Sequence, residues 1–155
     1  MKYIETKKDI FTMTTEDYSI VHCISADFAF GAGIAKKIDN MFNIKQKLNK
    51  NLPNFINELW AHKNKDGVCV MTYINTKYPI FHLVTKTRYW NKPSYEAIRD
   101  SLESLKSILS ILEINKIAMP KIGCGLDGLK WYKVSEIIRD VFKETDIEIV
   151  VCYLS

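Results

Sequence analysis

Six short segments rich in β-branched and aromatic residues, separated by stretches of helical spacing, constrain this chain most. They are residues 2–6 (KYIET), 18–24 (YSIVHCI), 68–74 (VCVMTYI), 79–86 (PIFHLVTK), 116–120 (KIAMP) and 147–154 (IEIVVCYL). Such runs read as strands. Between them, residues 33–42, one or two pieces within 44–62, 94–113 and 131–144 read as helices. In the segment 94–113, Ile98, Leu102, Leu105, Leu109 and Leu112 share one face, and Pro93 suits the helix entry. In the last segment Trp131, Val134, Ile138 and Val141 do the same. The order β-β-α-α-β-β-α-β-α-β predicts an α/β fold with a mixed sheet between helix layers. Apolar runs such as IVHCI and IVVCYL fit central strands buried on both faces. Asn75-Thr76-Lys77-Tyr78-Pro79 reads as a turn joining two antiparallel neighbours.

The chain has 155 residues, enough for a real core, and is expected to form one domain over 1–155. A hydrophobic fraction of 47% with 26% charged residues is that of an ordinary globular protein. The net charge of +4 tolerates an anionic ligand but does not by itself argue for nucleic acid. The basic residues are scattered as a solvated surface would have them. Cys23, Cys69, Cys124 and Cys152 form no C-x-x-C pair, so no metal site is expected. The N-terminus lacks an apolar signal core, and no apolar run approaches a membrane span. The expectation is an intracellular protein with reduced thiols, cytoplasmic or, in a eukaryotic host, nuclear, with no membrane partner. Short predicted edges and the length make a monomer the default.

Two glycine loops carry the functional signal. PKIGCGLDGLKW (120–131) reads as G-x-G-x-x-G from Gly123 to Gly128, with Asp127 inside it. A dinucleotide fingerprint needs a second strand with an acid about 20 residues on, and a second half to the fold. Only one strand remains after this loop, so that assignment is rejected. The earlier loop Ala29-Phe30-Gly31-Ala32-Gly33-Ile34-Ala35 also follows an apolar strand and opens a helix. Glycines let backbone N–H groups approach an anion, and a helix N-terminus adds positive potential. Two such loops at the ends of neighbouring strands can clamp a diphosphate from both sides. Each can also be a tight strand-to-helix turn and nothing more.

The stretches HCISADFAFGAGIAKK (22–37), LVTKTRYWNKPSYEAI (83–98), MPKIGCGLDGLKW (119–131) and VFKETDIEI (141–149) resemble the macrodomain family. Within its ALC1-like class they are similar to the terminal ADP-ribose protein glycohydrolase type. A lysine on the fourth strand together with an aspartate in a GCGLD loop is specific to that type. The resemblance implies a three-layer α/β/α fold with a mixed central sheet and a cleft for ADP-ribose above it. It implies no cofactor, ADP-ribose being ligand and product. Asp9 matches the acid that receives the adenine amino group, with Ile10 beside it. Lys8 stands where the family usually has glycine. Gly31, Ala32, Gly33, Ile34 and Ala35 match the loop around the distal ribose and diphosphate. Lys121, Ile122, Gly123, Cys124, Gly125 and Leu126 match the second phosphate loop. His22, Ser25 and Thr85 match ligand-lining positions, and Leu154 matches one at the adenosine end. Residues 44–66 fall outside the matching stretches.

The same resemblance makes Lys86 a nucleophile and Asp127 its acid/base partner. Lys86 would attack the anomeric carbon of ADP-ribose esterified to an Asp or Glu side chain, giving a lysyl adduct that water resolves. A lysine of ordinary pKa, about 10.4, is almost wholly protonated at neutral pH. It needs a base, burial or a nearby cation such as Arg88. The plain alternative is a strand-end salt bridge. Cys124 offers a second nucleophile with His22 or His82 as base, although both histidines lie inside apolar strands. Tyr89 and Trp90 can form a lid over the distal ribose, stack on a base, or pack against helix 94–113. The function expected is removal of mono-ADP-ribose from Glu/Asp-linked protein esters, with O-acetyl-ADP-ribose as a related ester. The alternatives are an antitoxin-type hydrolase of ADP-ribose linked to thymidine or guanosine in single-stranded DNA, and a non-catalytic ADP-ribose reader. The partners expected are accordingly ADP-ribose, mono-ADP-ribosylated protein and ADP-ribosylated DNA.

Overall fold

In a computed structural model, residues 1–61, 66–74 and 78–154 are described. Their strands are β1 (Lys2–Lys7), β2 (Ser19–Ser25), β3 (Val68–Tyr73), β4 (Pro79–Lys86), β5 (Lys116–Met119) and β6 (Glu148–Tyr153). Their helices are α1 (Gly33–Phe42), α2 (Ile44–Asn51), α3 (Phe55–Ala61), α4 (Tyr95–Leu112) and α5 (Trp131–Phe142). Two 3-10 segments, Ile10–Glu16 and Gly125–Asp127, were not foreseen. Neither carries the periodic apolar stripe that reveals a longer α-helix. Residues 44–61 form two short helices; residue 62 of that stretch and residues 75–77 of the expected turn lie outside the described residues.

The strands form one sheet in the order β1-β6-β5-β2-β4-β3. All pairings are parallel except β3 with β4, which run antiparallel as the turn between them implied. Side-chain alternation sends each inner strand into two cores. Val21, Phe81, Leu83, Ile117 and Val151 face α4 and α5. Ile20, Ile24, Ile80, Ala118 and Val150 face the layer that includes Ile38 of α1, Leu48 of α2 and Phe55 of α3. This is a three-layer α/β/α arrangement. It explains why β2 and β6 read as continuous apolar runs.

Helix α4 buries Ile98, Leu102, Leu105 and Leu109 completely, and Leu112 packs at the margin of the same core. Ser94 caps it, its Oγ accepting from the Ala97 N–H at 3.0 Å. Pro93 therefore precedes the cap rather than occupying the first turn. Among the described residues no helix is long and apolar enough to cross a membrane. The arrangement places the carboxyl ends of β5, β2 and β4 side by side. In open α/β sheets this is the edge on which ligands bind.

Candidate active site

Both glycine loops and the end of β4 meet at that edge, around a cleft of about 640 Å³. Such a volume suits a nucleotide-sized ligand. Lys86, the last residue of β4, places Nζ 2.8 Å from Asp127 Oδ1, and the side chains are 16% and 19% exposed. Two local features aim them. Val84 pairs with Ile24 and Lys86 pairs with Ser25, so Thr85 is an extra residue on β4. A bulge of this kind re-aims the side chain that follows it. The Ala26 N–H donates to the Lys86 carbonyl at 2.9 Å and closes the irregular end. Opposite, Asp127 ends the 3-10 turn that starts at Gly125, and Gly128 follows in the left-handed region.

The first loop is held by aromatic side chains and one carboxylate. Phe28 and Phe30 adopt positive φ (53° and 50°), uncommon for bulky residues. Burial of both rings offsets that strain, Phe28 stacking on Phe55 at 5.0 Å. Asp27 Oδ1 accepts from Ser25 Oγ at 2.5 Å and from the Ala29 N–H at 3.2 Å. Its Oδ2 accepts from the Tyr89 N–H at 3.0 Å, tying this loop to the segment after β4. Gly33, Ile34 and Ala35 then open α1 on the cleft wall, and no side chain caps their N–H groups. Those N–H groups and the helix dipole favour an anion.

The cleft gathers most of the expected residues. Lys86, Asp127, His22, Ser25, Gly31, Ala32, Gly33, Ile34, Ala35, Thr85, Lys121, Ile122, Gly123, Cys124 and Leu126 all line it. Gly125 sits in the same loop without lining it. Asp9, Ile10 and Leu154 lie beyond it, next to the ends of β1 and β6. Asp9 Oδ1 accepts from the Phe11 N–H and caps the first 3-10 segment. Ile10 is buried in the core under α1, and Leu154 is exposed. Cys23, Ala29, Phe30, Asn91, Lys92 and Pro120 also line the cleft and were not anticipated as site residues. Asp27 was missed as well. Its one sequence signal is an aspartate two residues before a loop N–H, the pattern of an Asx-turn.

The electrostatics argue against the thiol alternative. His22 Nε2 meets His82 Nδ1 at 2.5 Å, and His82 Nε2 meets Thr72 Oγ1 at 2.8 Å. The histidines are thus engaged with each other rather than with Cys124. Burial pulls the His22 imidazole down to about 3 and lowers His82 as well. Burial also raises the Cys124 thiol, with Lys121 opposing the shift. Cys23 is pushed up to about 12 by burial, the Asp127 charge adding to it. A protonated thiol is a poor nucleophile. Arg88 does not line the cleft; its N–H donates to Asn91 Oδ1 in the turn after β4. Tyr89 and Trp90 form an edge-to-face pair at 4.9 Å on the cleft rim and are 63% and 64% exposed, which rules out their burial against α4.

The Macro domain family model matches residues 21–138, which include most of β2, all of β4 and β5, and both glycine loops. The chain belongs to the macrodomain family. The bovine ADP-ribose glycohydrolase OARD1 is 41% identical to it over 145 residues, covering 94% of this chain and 87% of the relative. The human protein of the same name is 39% identical over the same coverage. The macrodomain of Mycobacterium tuberculosis DarG superposes with a TM-score of 0.81 at 18% identity, over 99% of this chain and 98% of that one. Thermosipho africanus DarTG, solved in complex with ADP-ribose, superposes at 0.77 and 16% identity over 98% of this chain and 41% of that one. These two likenesses concern the fold.

Within this macrodomain the second loop contributes one more cation. Lys121 Nζ lies 4.7 Å from the Tyr153 ring centre and 6.0 Å from that of Trp131. The Trp131 indole N–H donates to Glu5 Oε1 at 3.0 Å. Lys92 Nζ reaches across the cleft mouth to the Leu126 carbonyl at 2.6 Å. The segment after β4 and the Asp127 loop are therefore joined. Among the described residues, no group of three His, Cys, Asp or Glu side chains is placed to hold a metal ion.

Proposed function

We propose that this macrodomain is an ADP-ribosyl hydrolase that removes mono-ADP-ribose from Asp or Glu side chains through Lys86. The observation that carries the reading is the Lys86–Asp127 contact of 2.8 Å in a part-buried cleft between two glycine loops. The similarity to ADP-ribose glycohydrolases at about two-fifths identity supports the substrate class. The N-terminus of α1 and the glycine loops provide for the diphosphate. In this reading Lys86 meets the anomeric carbon of the distal ribose.

The step proposed uses groups already in contact. Asp127 takes a proton from the Lys86 ammonium, which frees the nitrogen lone pair. That pair forms the N–C bond at the anomeric carbon as the C–O bond to the substrate carboxylate breaks. The bonding electrons leave with the carboxylate, which needs no protonation to depart. Asp127 passes that proton to solvent and then takes one from a water that adds at the same carbon. The C–N bond breaks with its electrons returning to the lysine nitrogen, and Asp127 hands its proton back to the amine, which restores the ammonium–carboxylate pair. A reader needs neither group. The protein is proposed to work as a single domain over 1–155, as a monomer and without a cofactor.

A release assay with wild type, Lys86→Ala and Asp127→Ala tests the reading on glutamate-linked mono-ADP-ribosylated protein. Wild type should release ADP-ribose and both variants should lose at least about a hundredfold in rate. Intact-protein mass spectrometry should find an ADP-ribose adduct that requires Lys86. Binding of ADP-ribose by wild type with no release would leave the reader in its place.

The exposed Tyr89–Trp90 pair favours a second substrate, ADP-ribose linked to a base of single-stranded DNA. A base leaving the cleft past that rim could stack on Trp90. Trp90→Ala should then slow release from modified DNA while leaving release from protein unchanged. An equal effect on both substrates would reject the stacking role.

A further inference from the structure

One residue that lines the cleft carries a buried polar atom with no hydrogen-bond partner in the protein. His22 lines the cleft, is 1% exposed, and its Nδ1 has no hydrogen-bond partner. Buried polar atoms are nearly always paired, so an orphan on a cleft residue calls for a partner from outside the protein, a water or a ligand atom. The other nitrogen, Nε2, belongs to a chain that runs away from the cleft through His82 Nδ1 and Nε2 to Thr72 Oγ1. His82 and Thr72 are also buried. Phe30, itself a cleft residue, packs against both imidazoles with ring centres 6.3 and 6.2 Å away.

Burial keeps both rings neutral. A neutral imidazole carries one N–H and one lone pair, while a hydroxyl both donates and accepts. The chain can therefore be ordered in two ways. If the Thr72 hydroxyl donates to His82 Nε2, His82 Nδ1–H donates to His22 Nε2. His22 then holds its proton on Nδ1 and offers a donor to the cleft. If His82 Nε2–H donates to Thr72, His22 Nε2–H donates to His82 Nδ1. His22 then offers a lone pair to the cleft. Every inner nitrogen is satisfied in both orders, and neither creates a charge. They differ in the sign shown at the cleft end.

We infer that Thr72, His82 and His22 form a tautomer relay whose cleft end, His22 Nδ1, binds a ribose hydroxyl of ADP-ribose. The inference rests on the ADP-ribose reading above. A hydroxyl suits the site because it pairs with either order of the relay. A phosphate does not, since a neutral ring gives it no counter-charge, and the glycine loops with the α1 N-terminus already serve an anion. His22 is the binding residue. His82 and Thr72 are positioning residues that act through it.

The test begins with wild type and ADP-ribose. Calorimetry follows binding, and long-range 1H–15N correlation spectra follow the tautomer of each histidine. The free protein should show His22 and His82 neutral. Saturation with ADP-ribose should move the His22 Nδ1 resonance and the His82 nitrogens with it. Thr72→Val removes the hydroxyl at nearly constant shape and should weaken ADP-ribose binding about tenfold. Turnover at saturating substrate should change by less than about twofold, and Thr72→Ser should restore affinity. Binding that leaves both histidines' side-chain nitrogens unmoved overturns the relay and leaves the hydrolase reading standing. Equal affinity in wild type and Thr72→Val overturns it too. If wild type does not bind ADP-ribose at all, the relay and the ADP-ribose reading fall together.

Discussion

Gly31 and Gly123 do different work, and the space around each decides it. A Cβ on Gly31 would meet nothing within 4 Å, and its φ lies outside the left-handed region. Gly31→Ala should therefore leave the melting temperature unchanged. It lines the cleft, so the added methyl should weaken ADP-ribose binding, which calorimetry measures directly. Gly123 has φ +72°, and a Cβ there would come within 2.9 Å of Leu129 Cδ1 and 3.3 Å of Ile98 Cδ1. Gly123→Ala should lose about 1–3 kcal/mol in urea unfolding from backbone strain and overpacking. Lys86 and Asp127 were legible in the sequence because each ends a recognisable motif. Asp27 was not, because the bond that ties its loop to the segment after β4 reaches Tyr89, 62 residues away.

The helix ends are where single elements can be tested. Ser94 caps α4 through the Ala97 N–H, so Ser94→Ala should cost about 1 kcal/mol in chemical denaturation. At the other end Glu113 sits in the left-handed region with φ 56°, its N–H donating to the Leu109 and Ser110 carbonyls. Glycine takes that conformation without a Cβ penalty. Glu113→Gly should gain up to about 1 kcal/mol, and a loss would show that the glutamate side chain matters more than its backbone. The five strands other than β1, with α4 and α5, were legible because each carries a long or strongly patterned apolar face, and β1, which buries no residue fully, was legible from its β-branched and aromatic composition. The 3-10 turn carrying Asp127 and the bulge at Thr85 were not. A turn of three residues has no period to read, and a bulge exists only relative to the partner strand.

At the scale of the molecule, the two buried histidines link stability to pH. Unfolded imidazoles titrate near 6.5. In the fold His22 is pulled down to about 3 and His82 is lowered with it. Below about pH 6.5 the unfolded chain therefore holds more protons than the folded one. Stability should fall as the pH is lowered through that window, by on the order of 1 kcal/mol per pH unit for each histidine, with no such slope above it. Urea midpoints at about pH 7 and about pH 5 measure the effect. A His22→Leu, His82→Leu double variant should flatten that part of the slope, and an unchanged slope would assign it to other groups. The sequence by itself determined the layers and the two loops, because apolar period and glycine placement are local properties of a chain. It also marked Lys86 and Asp127 as the pair to watch. Only the tertiary structure decided that β5, β2 and β4 lie side by side, which brings those two residues within 2.8 Å. It also decided that His22, His82 and Thr72 join behind the cleft rather than serving Cys124. Strand order and long-range hydrogen bonds depend on which surfaces bury each other, and no local pattern records that choice.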